Sequence, residues 1–188
     1  MILLDPDLEA DLARRAARAG QSSRSAAQVR NSDLPSARGL ARFLSEAQAA
    51  VRLRGQVTVL LTADAAIRRL NRRFRKIDRA TDVLSFPAGD GLAGGEELAG
   101  DLAISVETAR RQGSARGHSL GTEIKVLILH GLLHLAGYDH ETDSGQMARR
   151  ERLLRTRLGL PVGLIERAEG DSARRGGRAG KSARRRQP

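Results

Sequence analysis

At 188 residues the chain is long enough for one domain with tails, and its formal net charge of +11 suits a partner that is a polyanion. It has no cysteine, which excludes a disulfide framework and leaves histidine, aspartate and glutamate as side chains for any metal site. No run approaches the roughly 18 apolar residues of a membrane span, and the opening MILLDPDLEADL lacks the basic start and long apolar core of a signal peptide; a cytoplasmic protein with no membrane partner is expected.

In chain order, residues 2–4 predict a short strand, and Asp7 to Ala19 predict a helix with Leu8 and Leu12 one turn apart. Residues 20–36 (GQSSRSAAQVRNSDLPS) are polar and predict a loop. Ser36 caps a predicted helix over 37–53, with Leu40, Phe43, Leu44, Ala47 and Val51 on one face and Gly55 at its end. QVTVLLT, 56–62, is β-branched and predicts a strand. Thr62 or Asp64 then caps a helix to about Arg73, with Ile67 and Leu70 turned inward. TDVLSFP, 81–87, predicts a second strand stopped by proline, AGDGLAGGEELAG a loop, and DLAISV, 101–106, a third long strand. A short helix over 107–112 ends at Gly113.

Thr122 caps the next predicted helix, in which Ile124, Val126, Leu127, Ile128, Leu129, Leu132 and Leu133 are apolar almost all round, the pattern of a helix buried mid-domain. Gly137 ends it by allowing a left-handed turn. A last amphipathic helix spans about 143–158. The mixed order predicts an α+β fold with a small mixed β-sheet. The chain divides into an N-terminal extension with a short strand, helix and loop (1–36), a main domain (37–165) and a basic tail expected to be disordered (166–188).

Positive charge is concentrated in two places. Residues 68–79 (RRLNRRFRKIDR) hold seven basic residues and one acid, and residues 167–188 hold eight and two. So basic a run inside a folded region costs self-repulsion, which favours a functional surface for the first. The tail is either a solubilising end or an electrostatic contact to a polyanion.

The chemistry centres on HGLLHLAGYDH, residues 130–140. Its three histidines match the metzincin pattern H-E-x-x-H-x-x-G-x-x-H except that Gly131 stands where the protease has glutamate. His130 and His134 leave one helix face a turn apart. Gly137 turns the chain so that His140 can complete three ligands with an open fourth position, the arrangement of a catalytic site. Three imidazoles accept zinc, one ion per chain, and also nickel or another divalent metal. Amide hydrolysis needs a proton delivered to a poor leaving group, the task of the missing glutamate. A phosphodiester's leaving alkoxide is easier to expel and can be met by cations, so Gly131 with a nearby basic segment suits phosphoryl chemistry. Asp139 orients a ligand histidine, serves as a substitute base, or caps the turn. His118 lies outside the pattern, in a polar loop, and no role is expected for it.

The motif resembles the H-G-x-L-H-L-x-G-Y-D-H signature of the YbeY family of metal-dependent endoribonucleases and ribosomal RNA maturation factors. LNRRFRKIDRATDVLSFP and GDLAIS are similar to two further segments of that family, in the same order, and the resemblance covers roughly residues 40–160. It implies a mixed sheet of about four strands surrounded by helices, with a zincin-like metal helix. It also implies single-strand-selective RNA cleavage, maturation of small-subunit ribosomal RNA and ribosome quality control. His130, His134 and His140 carry over as metal ligands and Arg75 as the functional arginine, here after Phe74 instead of tyrosine. The glycine-lysine that usually follows this arginine is Lys76-Ile77, and the usual proline is Ala80. Partners implied are ribosomal RNA, the small ribosomal subunit, and ribosomal or assembly-factor proteins.

On this reading Arg75 clamps the scissile phosphate through bidentate hydrogen bonds, while Arg72, Arg73, Lys76 and Arg79 attract the RNA backbone without reading sequence. Aromatics make up 2% of the chain, which argues against a stacking platform. Tyr138 is expected to pack beside the metal. The alternatives are a non-catalytic ribosome-assembly factor stabilised by its metal and, disfavoured by Gly131, a metalloprotease.

Overall fold

Strands β1 (Ile2–Leu4), β2 (Gln56–Thr62), β3 (Val83–Pro87) and β4 (Leu98–Ser105) form one sheet in the order β1-β2-β4-β3. β1 and β4 run parallel to β2, and β3 runs antiparallel to β4. The sheet is therefore mixed, the fold is α+β, and β3 is an edge strand. The computed structural model describes residues 1–10, 34–89, 98–140 and 143–162. Most of the helix expected over 7–19 and of the 20–36 loop, and all of the 166–188 tail, lie outside these residues. Residues 2–4 pair with β2, and Leu8 joins the main core, so both belong structurally with the domain drawn from residue 37.

The helices are α1 (Ala37–Val51), α2 (Asp64–Arg75), α3 (Val106–Arg116), α4 (Leu120–Leu135) and α5 (Gln146–Arg157). Strand alternation sorts them onto two faces. Val57, Val59 and Leu61 of β2 and Leu102 and Ile104 of β4 join residues of α1, α4 and α5 in the main core. Leu84 and Ala103 point the other way and form a smaller cluster with Ile67 of α2. α4 is apolar nearly all round because it is buried: Ile124, Ile128, Leu129, Leu132 and Leu133 have no exposure.

Several boundaries differ from expectation for local reasons. α4 is capped by Ser119, whose Oγ accepts from Thr122 N–H at 3.1 Å, so Thr122 sits inside the first turn. α3 passes through Gly113 and ends at Gly117, which has the left-handed φ of 74°. A Cβ at Gly113 would stand 3.3 Å from Glu123 Cβ, so this glycine serves close approach to α4 and does not stop the helix. α1 ends at Val51 with Arg52 as its left-handed cap, three residues before Gly55. β4 begins at Leu98, ahead of the expected Asp101.

α2 reaches Arg75, two residues beyond the expected end, and Lys76 caps it at φ 61° and ψ 21°. A side chain in this region costs about 1–2 kcal/mol, which accounts for the glycine usual at this place in the resembling pattern. Lys76→Gly should raise stability by about 1 kcal/mol, measured as an upward shift of the denaturation midpoint; a fall would mean that the Lys76 side chain outweighs the backbone strain.

Candidate metal centre

α4 carries His130 and His134 on its last turns, and Gly137, at φ 86°, turns the chain back toward them. Tyr138 N–H donates to Leu133 O at 3.0 Å and closes this turn. His140 then joins the pair. One nitrogen from each of the three rings lies within 4.8 Å of the others, and the ring centroids are 4.8–5.5 Å apart. The Nε2 atoms of His130 and His134 are 3.2 Å apart. Just before α5, the Asp143 carboxylate accepts from the backbone N–H groups of Gly145, Gln146 and Met147, fixing where that helix starts.

Glu151 of α5 completes the support. His130 Nδ1–H donates to Glu151 Oε2 at 3.1 Å; a carboxylate only accepts, so the proton sits on Nδ1 and the Nε2 lone pair is left for a metal. Glu151 Oε1 in turn accepts from Arg155 Nε at 2.9 Å. Burial alone would raise the Glu151 carboxyl, but the His130 hydrogen bond and the Arg155 charge outweigh it and hold it below its usual range. Burial holds His134 below the ordinary imidazole value, and the His130 and His140 rings push the same way against the Asp139 charge. Neutral, oriented imidazoles are the form that binds a metal. The donor set fits a divalent ion such as zinc, and His130, His134 and His140 are the residues that would hold it.

Glu151 was invisible in the sequence, where it is one charge on an ordinary amphipathic helix 21 residues from His130. Glu151→Gln should weaken metal affinity by about 10–100-fold, the usual cost of losing a supporting partner, measured by competition with a chelator dye. Unchanged affinity would show that His130 needs no orienting carboxylate.

The histidines open onto a cleft of about 610 Å³ that Arg75, Tyr138 and Asp139 also line. Its floor is the edge strand, through Val83, Leu84, Ser85 and Pro87. Arg75 approaches from α2, on the opposite sheet face from α4, so the cleft spans the sheet edge with histidines on one side and a guanidinium on the other. Asn71, which the sequence reading passed over, builds this flank. It is buried, its Nδ2 donates to Arg79 O at 2.8 Å, and its backbone carbonyl accepts from the capping Lys76 N–H. Arg68 pairs with Asp78 through two hydrogen bonds of 2.8 and 3.0 Å and helps fold the loop back.

Of the predicted site residues, the structure gathers His130, His134, His140, Arg75 and Asp139 in this cleft. Arg72, Arg73, Lys76 and Arg79 are exposed on the end of α2 and the loop after it, outside the cleft lining. Asp82, also in the cleft, is committed to structure: its carboxylate accepts from Val83 N–H at 2.8 Å and from Gln112 Nε2 at 3.0 Å. His118 has a neighbour after all, with Nδ1 3.3 Å from the fully buried Glu123 carboxylate.

Gly131 lies at the contact between α4 and the sheet. A Cβ there would stand 2.7 Å from Leu102 Cδ2 and 3.3 Å from Ser85 Oγ, and Leu102 is itself buried. Ser85 Oγ donates to Gly131 O at 3.4 Å. The position that holds a protease's glutamate is therefore filled by the packing of helix on sheet.

A mixed sheet with three histidines converging at the end of its central helix defines a zincin-like α+β protein with a candidate metal centre. Within that class the chain belongs to the family described as endoribonuclease YbeY, whose sequence profile matches residues 24–159. It is 53% identical over 132 residues to the endoribonuclease YbeY of Koribacter versatilis, covering 70% of this chain and 84% of that one. It is 57% identical over 110 residues to that of Solibacter usitatus, covering 58% and 71%. A solution structure of a Thermotoga maritima protein aligns over 80% of this chain and 95% of its own, with 23% identity and a TM-score of 0.44. No described helix is long and apolar enough to cross a membrane.

Proposed function

We propose that this chain is a zinc-dependent endoribonuclease that cleaves single-stranded RNA, acting in the cytoplasm in maturation of small-subunit ribosomal RNA and in ribosome quality control. The observation that carries the reading is the cleft itself: three histidines and an arginine face one another across a sheet edge, in a chain of the YbeY family. Zinc held by His130, His134 and His140 would supply Lewis acidity and a water of lowered pKa. Arg75 binds the scissile phosphate with paired N–H donors and offsets the charge that grows on its oxygens during displacement. Asp139, beside His140 in the cleft lining, is the carboxylate we assign to moving a proton. The tight packing at Gly131 leaves no place for the glutamate a zinc peptidase uses, which favours a phosphodiester over a peptide.

The test is incubation of the metal-loaded protein with single-stranded RNA, the matching duplex and casein. Cleavage of the single strand alone is expected. Cleavage of casein would overturn the reading, and one bound metal with no cleavage of any substrate would favour a metal-stabilised assembly factor.

A further inference from the structure

Phe74 is 55% exposed at the penultimate position of α2, an unusual setting for a ring that gains so much from leaving water. It is nevertheless held in place. Its ring meets Phe86 edge-on, with centroids 5.1 Å apart and planes at 68°. Phe86 packs on the Ile67, Leu84 and Ala103 cluster. The Arg73 guanidinium carbon lies 5.2 Å from the Phe74 ring centroid. The residues that follow these two rings, Arg75 and Pro87, both line the histidine cleft. A fixed, exposed aromatic with a cation against it thus stands at the margin of the cleft, where the chain crosses the sheet edge.

We propose that Phe74 stacks a nucleobase of single-stranded RNA, from a nucleotide flanking the phosphate held at Arg75, with the Arg73 guanidinium sharing the stack. The proposal rests on the nuclease reading above and names how the single strand is chosen. Arg72, Arg73, Arg75 and Lys76 flank Phe74 in the chain, are exposed, and favour an anionic occupant. Aromatic and guanidinium planes take the face of any base without reading its identity. A duplex keeps its base faces against one another and has none to offer, so one ring suffices to penalise paired RNA. This replaces the extended platform excluded by the scarcity of aromatics with a single stacking position.

The chain has no tryptophan, so Phe74→Trp installs a lone indole at the proposed contact, excited at a wavelength that Tyr138 does not absorb. The full-length metal-loaded variant is titrated with a single-stranded 2′-O-methyl oligoribonucleotide, which is bound without being consumed, and with its duplex. The expected result is quenching by the single strand, with a midpoint equal to that from anisotropy of the labelled RNA, and no quenching by the duplex. Phe74→Leu keeps an apolar contact to Phe86 and should weaken single-strand binding about ten-fold, with much less effect on the duplex. If the oligonucleotide saturates the Phe74→Trp variant with no change in emission, and Phe74→Leu binds as tightly as the parent, the stacking proposal is overturned while the nuclease reading stands. If the parent binds neither form of RNA, the nuclease reading falls and takes the proposal with it. Should Phe74→Leu not fold, the emission titration alone decides.

Discussion

His134→Ala should abolish RNA cleavage and reduce metal binding by far more than the roughly 10–100-fold expected for loss of a supporting partner such as Glu151. His134 is close to both other ligands: its Nε2 is 3.2 Å from that of His130, and its ring centroid is 5.2 Å from that of His140. Without it, a metal keeps two imidazoles on separate elements, one in α4 and one in the turn after it. The fold should survive, because His134 is only half-buried and alanine is the better helix former. Metal content after dialysis, cleavage rate and the melting curve of the metal-free protein separate these effects. Retention of one tightly bound metal would place the ion outside the three histidines. The wild-type site should also release metal as pH falls, because protons compete for the same nitrogens. Since burial and its neighbours hold His134 below the ordinary imidazole value, its own contribution to that release should come at more acid pH than for a free histidine.

How much of this was legible in the sequence depended on how local each feature is. The histidines were legible because two lie one helical turn apart and a glycine in the left-handed region follows, all within eleven residues. The core face of α1 was legible from its spacing, and Leu40, Phe43, Leu44, Ala47 and Val51 are all buried. Arg75 required a resemblance to single it out among the seven basic residues of 68–79. What distinguishes it physically is the strand order, which leaves β3 at the edge so that α2 can deliver a guanidinium across it. Glu151 and Asn71 act through contacts that no periodicity announces. Asn71 had one sign, a polar residue on the inward side of an amphipathic helix, and it is buried because the loop after Arg75 hydrogen-bonds to it. Gly113 misled because a glycine that ends a helix and one that admits a neighbouring helix look the same in one dimension.

Arg75→Ala should lower cleavage by about 10²–10³-fold, the usual cost of removing one positioned donor to a developing anion, while metal stays bound at its wild-type affinity. Arg75 lines the cleft but belongs to α2, whereas His130, His134, His140 and Glu151, which would hold and orient a metal, come from α4, the turn after it, and α5. The flank should persist without the guanidinium, since Asn71 and the Arg68–Asp78 pair hold the loop. Arg75→Lys should recover only part of the rate, because an ammonium keeps the charge and loses the paired donors. Arg72, Arg73, Lys76 and Arg79 act at a distance from the cleft lining, so alanine at each should weaken RNA binding modestly and reduce its salt dependence by about one ion per residue. The turnover rate at saturating RNA should not change. The two classes of basic residue are thereby separable by kinetics alone: loss at Arg75 appears in turnover, and loss at the others appears in binding. Loss of metal from Arg75→Ala would instead make the arginine a structural support of the histidine site, and unchanged turnover would move the phosphate away from it.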